Sequence, residues 1–286
     1  MKSFQCATGE NAQTYMRGEH YSAGIIASHV PEFGPKPVGG GEYHDEMGNH
    51  VHFYIMKYHD MDQQRPPDPA ELALRIAELH SKAASPNGIW AAQFTYLLED
   101  LIKLDNEMNG PWPEYDRACK QLVDHVIPRL LGALESNERS IEPVLCHGDL
   151  WEGNVATDLE TGKIIMFDPG EALYAHNEIE FGTWRCSWAT HFTAPEYLRA
   201  YQRLIPPSEP VEEWDDRNRL YAIKCSLCDS AGHEGSKSRI IAFNDMLYLC
   251  DKYAPLESLE KYDPDKDIGV TGRREAYDVM AGARHS

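Results

Sequence analysis

The sequence predicts an α+β protein of two lobes, with a reduced, β-rich first part over residues 1–62 and a larger, mainly helical part over residues 63–286. Three observations predict it. Short alternating segments punctuated by turn residues crowd the first part. Pro66, Pro67 and Pro69 then interrupt the chain. Beyond them apolar residues recur at helical spacing, broken by one short pair of strand-like runs.

The elements follow in order. Residues 3–7 read as a strand stub and residues 8–11 as a polar turn. Residues 12–29 carry a helical pattern that includes Met16, Glu19, Ile25 and Ile26. Pro31, Pro35 and Pro37 force an extended segment, because proline fixes φ and drives the preceding residue out of the helical region. Residues 38–43 and 51–58 read as strands joined by the turn Asp45-Glu46-Met47-Gly48-Asn49. Two or three strands and one helix make a meagre sheet for an independent lobe, so the first lobe reads as partial. Residues 70–84 form an amphipathic helix with Leu72, Ile76 and Leu79 along one side. Residues 93–107 and 114–136 are further helices, the second with a core stripe of Leu122, Val126, Ile127, Leu130, Leu131 and Leu134. Pro143 ends that region. Residues 155–157 and 164–167 are short strands around a turn at 158–162. Residues 178–254 read as mostly helical, broken once at Pro206, Pro207 and Pro210, with closing helices over 214–231 and 237–253. The tail after Pro255 is polar, and its last residues are expected to be mobile.

Bulk properties narrow the function classes. The 27 basic and 46 acidic residues leave a net charge of −19. Such a surface repels nucleic acid and anionic membranes, and an anionic nucleotide would need metal and local basic groups to bind. Among seven scattered cysteines, Cys225 and Cys228 form a CxxC with no second pair at zinc spacing. They read as structural residues of a helix in a reducing compartment. The N-terminus lacks the apolar run of a signal peptide, and no apolar stretch reaches the length of a membrane span. A cytoplasmic monomer or weak homodimer is the expectation.

The chemistry concentrates in Cys146-His147-Gly148-Asp149-Leu150-Trp151-Glu152-Gly153-Asn154 and Met166-Phe167-Asp168-Pro169. Phosphoryl transfer needs an oriented hydroxyl, a proton acceptor and cation ligands for the phosphates. Asp149, in a loop just before the strand pair, is the candidate acceptor. Asn154 and Asp168 lie at opposite ends of that pair, so a hairpin brings them together as hard oxygen ligands for magnesium. His147 is placed behind the loop, where it packs and hydrogen-bonds. Gly148 and Gly153 permit tight turns. Each residue alone is commonplace as a cap or turn; the ordered set is specific.

These runs resemble the fructosamine kinase and ketosamine-3-kinase family, of fungal type, within the protein kinase-like fold of the aminoglycoside and choline kinases. The family's HGDLWxGN run is matched by residues 147–154 and its DP segment by Asp168-Pro169-Gly170, and residues 174–181 resemble its YGxRExDL pattern. Gly18-Glu19-His20 and residues 31–37 also fit. The resemblance covers roughly residues 3–255. It implies ATP-dependent phosphorylation of the sugar 3-hydroxyl of a ketoamine, either a small ribulosamine or fructosamine or a glycated protein lysine. Phosphorylation makes the adduct unstable and promotes deglycation. On that pattern Asp149 is the catalytic base, Asn154 and Asp168 hold Mg2+, and the linker carrying Met56 and Tyr58 binds the nucleotide. Trp151 either shapes the sugar site or packs as a core aromatic. Glu178 and Glu180 either organise the cleft or bind substrate, with a structural ion pair as the alternative.

The pattern fails at the start of the chain. The glycine-containing hairpin of the family is absent before Thr8, so the N-terminus reads as truncated. The place of the phosphate-contacting lysine falls near Gln5, and only a register shift would bring Lys2 there. Glu19 resembles the glutamate that positions this lysine; without the partner it reads as cleft support or as a solvated helix carboxylate. An active ketoamine kinase, a weakened or noncatalytic relative that binds nucleotide or sugar, and another small-alcohol kinase all remain open.

Overall fold

The computed structural model describes residues 2–85 and 90–272. The strands are β1 Lys2–Thr8, β2 Pro37–His44, β3 His50–Lys57, β4 Met61–Asp62, β5 Val144–Cys146, β6 Val155–Asp158, β7 Ile164–Met166 and β8 Leu173–Ala175. The helices are α1 Ala12–His29, α2 Pro69–Lys82, α3 Trp90–Asn109, α4 Pro113–Gln121, α5 Ile127–Gly132, α6 Pro195–Gln202, α7 Trp214–Gly232, α8 Ser238–Tyr253 and α9 Ile268–Thr271. Packing gathers them into two compact units. One combines Met1–Ser85, Val144–Glu180 and Ala194–Pro206; the other combines Pro86–Pro143, Phe181–Thr193 and Pro207–Ser286.

The first unit holds three small sheets. One has the order β1-β3-β2, wholly antiparallel, with Gln5 opposite Tyr54 and Glu42 opposite His52. Asp45 fixes the β2–β3 turn by accepting hydrogen bonds from the Met47 and Asn49 backbone at 3.0 and 2.8 Å. Helix α1 lies on this sheet, where Met16, Tyr54 and Met56 form a buried cluster. The second sheet has the order β4-β6-β7, and β5 pairs with β8 in the third. Helix α2 starts cleanly because Asp68 caps the Ala70 and Glu71 backbone at 3.0 Å and Pro69 has no N–H to satisfy. Its Leu72, Ile76 and Leu79 are buried, each contributing about 1.5–3 kcal/mol.

In the second unit, α3 presents Trp90 and Phe94 to Tyr221 of α7, and the Trp90 indole donates to the Tyr221 hydroxyl at 3.0 Å. The helix expected over 114–136 is present as α4, a π-helical stretch Leu122–Val126, α5 and a final 3-10 turn. Pro128 explains the widening, since its ring clashes with a preceding carbonyl and offers no N–H to the ladder. All seven cysteines are free, and Cys225 and Cys228 lie on α7 as expected. Among the described residues no helix is long and apolar enough to cross a membrane.

Residues 178–194 depart from the expected helix. They form 3-10 turns at Asn177–Phe181 and Thr183–Arg185, then irregular chain up to Pro195. Two causes are local. The Glu180 side chain is committed to backbone N–H groups elsewhere. Gly182 passes so close to α7 that a Cβ would lie 2.8 Å from the Tyr221 backbone. The expectation for the last residues of the tail falls outside the described residues.

Candidate functional site

The loop after β5 and the β6–β7 hairpin bring the central motif together within the first unit. Val155 stands opposite Met166, and the Phe167 N–H donates to the Asn154 carbonyl at 3.0 Å. Asn154 is thereby set beside the segment that carries Asp168. The Asn154 Nδ2 group donates to the Asp149 carbonyl at 2.8 Å and to the Asp149 carboxylate at 2.9 Å. That use of Nδ2 leaves Oδ1 as the remaining ligating atom of Asn154. Asn154 Oδ1 and the Asp168 carboxylate are hard oxygen donors of the kind that suits magnesium, and the hairpin sets Asn154 beside the segment that carries Asp168. Asp168 has φ of 59° and precedes Pro169, a strained backbone state for a non-glycine residue.

The loop is held from behind. The His147 and Gly148 N–H groups donate to the two Glu180 oxygens at 2.7 and 3.2 Å. The His147 ring is buried; its Nδ1 accepts from the Asp149 N–H at 3.3 Å, and its Nε2 lies 2.9 Å from the Phe167 carbonyl. A ring that accepts at Nδ1 carries its proton on Nε2 and donates there, so His147 ties the loop to β7's exit. Burial alone would raise the Glu180 carboxyl, but the His80 imidazole beside it and the His147 backbone N–H outweigh it and hold the group below its usual range. His80 also meets Tyr201 at 2.7 Å, and Tyr201 accepts from Asn177 at 2.8 Å.

Gly148 has φ of 82°, and a Cβ there would lie 2.2 Å from the Glu171 carbonyl oxygen. Only glycine fits that close approach. The Trp151 ring lies over Gly153, where a Cβ would meet it at 2.2 Å, and Trp151 is only 8% exposed. Glu178 is buried beside His176, with 4.0 Å between Nδ1 and the carboxylate.

Glu19 is not a solvated helix carboxylate. It is 1% exposed and accepts from the Tyr54 hydroxyl at 2.6 Å. Burial pushes its pKa up to about 7; Tyr54 and the nearby Gln5 amide offset part of this, and the Asp168 charge adds to it. Its Oε2, and the Oε1 of Gln5, are buried without hydrogen-bond partners among the described residues. The β1–β3 register seats Gln5 opposite Tyr54 and leaves Lys2 three residues along, opposite Lys57. Gln5 thus occupies the position beside Glu19. Tyr15, one turn before Glu19 on α1, is pushed up to about 12 by burial and then by the charges of Asp168, Glu19, Glu171 and Asp149.

A cavity of about 200 Å³ opens in the same unit between β1, α1 and β3 on one side and the β7 exit on the other. Met56 and Tyr58 line it with Gln5, Ile26, Met166 and Asp168. The neighbouring linker is anchored: His59 Nδ1 bonds the Asp158 carboxylate, which is held down to about 2 by that contact and by the Thr161 and Glu160 amides despite burial.

Sequence reasoning missed Tyr15, Tyr54, His80 and Tyr201. The four-residue spacing of Tyr15 and Glu19 places them on one helix face, which is a usable signal. His80 follows Ile76 on the buried stripe of α2, so its polarity there was visible too; Tyr201 carried no local signal.

The fold is shared with solved small-molecule kinases. A protein from Haemophilus somnus assigned as a fructosamine-3-kinase matches with a TM-score of 0.61 at 15% identity, over 87% of this chain and 83% of that one. Choline kinase LicA from Streptococcus pneumoniae matches with a TM-score of 0.61 at 13% identity, over 88% and 87%. These likenesses define an α+β kinase-like fold of the aminoglycoside and choline kinase type. The family model for fructosamine kinase matches residues 90–236, more than half of the sequence. The chain belongs to the fructosamine kinase family. A chloroplastic protein-ribulosamine 3-kinase from Oryza sativa subsp. indica is 28% identical over 223 residues, which are 70% of this chain and 58% of that protein. The chain therefore spans less than two thirds of that relative's length.

Proposed function

We propose that the chain carries the phosphate- and sugar-handling half of a ketoamine 3-kinase, transferring the γ-phosphoryl group of ATP to the 3-hydroxyl of a ribulosamine or fructosamine. The observation that carries this reading is the Asp149–Asn154 hydrogen bond beside the Asp168 segment, held by a hairpin and a buried Glu180. Asp149 accepts the sugar hydroxyl proton. The amide of Asn154 orients that carboxylate, and His147 and Glu180 keep its loop from shifting, so the acceptor is preorganised. Asn154 Oδ1 and Asp168 would hold Mg2+, which neutralises phosphate charge when bound. The cavity beside Met56 and Tyr58 receives the nucleotide base. The ketoamine is a small molecule or a glycated lysine, and loss of the phosphorylated adduct returns the amine.

One observation favours a second reading, a weakened or noncatalytic relative. Gln5 sits beside Glu19 where the family resemblance places a lysine, so no cation from β1 reaches that point. Losing one preorganised donor costs about 100- to 1000-fold in rate. The test is product formation from magnesium-ATP and a ribulosamine, followed by mass spectrometry, with Asp149→Asn as control. Sugar phosphate made by the wild type and lost in the control supports the kinase. Nucleotide binding without any product at high protein concentration supports the second reading.

A further inference from the structure

The far end of the β2–β3 hairpin carries a cluster that the kinase chemistry does not use. Period-two alternation puts Glu42, His44, His50 and His52 on one sheet face, and the register pairs Glu42 with His52 and His44 with His50. The His50 Nε2 and His52 Nδ1 atoms lie 3.4 and 3.5 Å from the same Glu42 oxygen, Oε2. One donor atom from each residue lies within 4.8 Å of the others. The His50 and His52 rings are 4.4 Å apart, and His44 stacks on His50 at 4.9 Å and 7°.

Those separations are informative. Both exceed the usual 2.7–3.2 Å of an N–H···O hydrogen bond, so hydrogen bonding does not account for two imidazoles converging on one carboxylate oxygen. A tetrahedral zinc ion with ligand distances of about 2.0–2.1 Å has ligand-to-ligand edges of about 3.3–3.4 Å. The nitrogen-to-oxygen separations already match that edge. The donor set, two imidazoles and a carboxylate, suits zinc-class ions and is poorly matched to magnesium. The support is rigid: Asp45 caps the turn, and Gly48 with φ of 84° closes it. His44 fixes the plane of the His50 ring from across the ladder.

We propose that Glu42, His50 and His52 form a surface site for a divalent transition-metal ion of the zinc class, with three protein donors and a fourth position for water. Bound there, the ion cross-links β2 to β3.

The test uses metal-stripped, untagged chain titrated with Co2+, whose visible spectrum reports coordination number, followed by displacement with Zn2+. The expected result is the intense absorption of a four-coordinate ion at one equivalent, unaffected by excess Mg2+. His52→Ala and Glu42→Gln should each weaken binding about 10- to 100-fold, while circular dichroism of the metal-free variants stays as in the wild type. Glu42→Gln keeps the side-chain shape, so it decides the matter if His52→Ala perturbs the strand. Absent binding, the weak spectrum of a six-coordinate ion, or unchanged binding in Glu42→Gln would each overturn the proposal; the last would place the ion elsewhere, for example at His80, Cys146 and Glu180.

Discussion

Replacing Glu19 by Gln should make the protein more stable in alkali and leave it nearly unchanged in acid. Glu19 is buried, has one oxygen without a hydrogen-bond partner among the described residues, and has its pKa pushed up by burial from 4.5 to about 7. Between those values the folded chain holds a proton that the unfolded chain has released. Linkage then lowers stability by about 1.4 kcal/mol for each pH unit in that window. The sign follows from the raised value: the contribution is fully present below about 4.5 and is lost as pH rises through about 7. The whole loss is about 3 kcal/mol, a large share of the typical 5–15 kcal/mol of a domain. Glutamine keeps an acceptor for the Tyr54 hydroxyl and cannot ionise, so Glu19→Gln removes the loss. The assay is urea denaturation of wild type and variant from pH 4.5 to pH 8.5. Other titrating groups, such as Asp245 at about 6, are common to both proteins and cancel in the difference curve. A variant no more stable than the wild type at pH 8.5, or a flat difference curve, would refute the reasoning.

Four further outcomes are expected. Gln5→Lys places a cation beside Glu19 and should flatten the wild-type stability profile between pH 4.5 and 7, as read by the same titration. If the missing cation limits the enzyme, the variant should also gain phosphoryl-transfer rate. Gly148→Ala must accept a positive φ and a Cβ 2.2 Å from the Glu171 carbonyl; it should destabilise by at least about 1–2 kcal/mol in denaturant unfolding and lose activity in proportion to the displaced loop. Glu180→Ala strands two loop N–H groups and the buried His80, with an expected cost of about 3–5 kcal/mol measured as a lowered denaturation midpoint. Asp158→Asn removes a carboxylate depressed to about 2 from 3.8. That contribution is present above about 3.8 and lost as pH falls through about 2, so the variant should be less stable than the wild type at pH 6 and converge with it in strong acid.

Legibility followed the range of the interactions. The β2–β3 hairpin, α1 and α2 were visible because turn chemistry, helical spacing and the interruption at Pro66, Pro67 and Pro69 are written within a few residues. Asn154 and Asp168 were expected side by side because they flank one short hairpin, with Asp149 five residues before Asn154. The pairings of β4 with β6 and β5 with β8 were not, since strands of two to four residues are too short to show alternation. Residues 178–194 misread as helix because their side chains answer to distant backbone, Glu180 to the His147 loop above all. The fate of Glu19 was equally remote: its burial depends on Tyr54, a β3 residue with no helical relation to α1.

The three-segment construction of the first unit also bears on how the protein is made. Met61 pairs with Asp158, Ala84 bridges to Val144, and the Tyr197 hydroxyl donates to the Pro67 carbonyl at 2.7 Å. At a synthesis rate of about 5–20 residues per second, β4 leaves the ribosome about 5–20 s before the strand that completes its sheet. Throughout that interval His59 lacks Asp158 and the apolar side of α2 lacks the β5 loop. The long wait between partners leaves the β4 edge and the apolar side of α2 uncovered until β5 and β6 have been made, whereas β1, β2 and β3 find all their sheet partners within the first 57 residues.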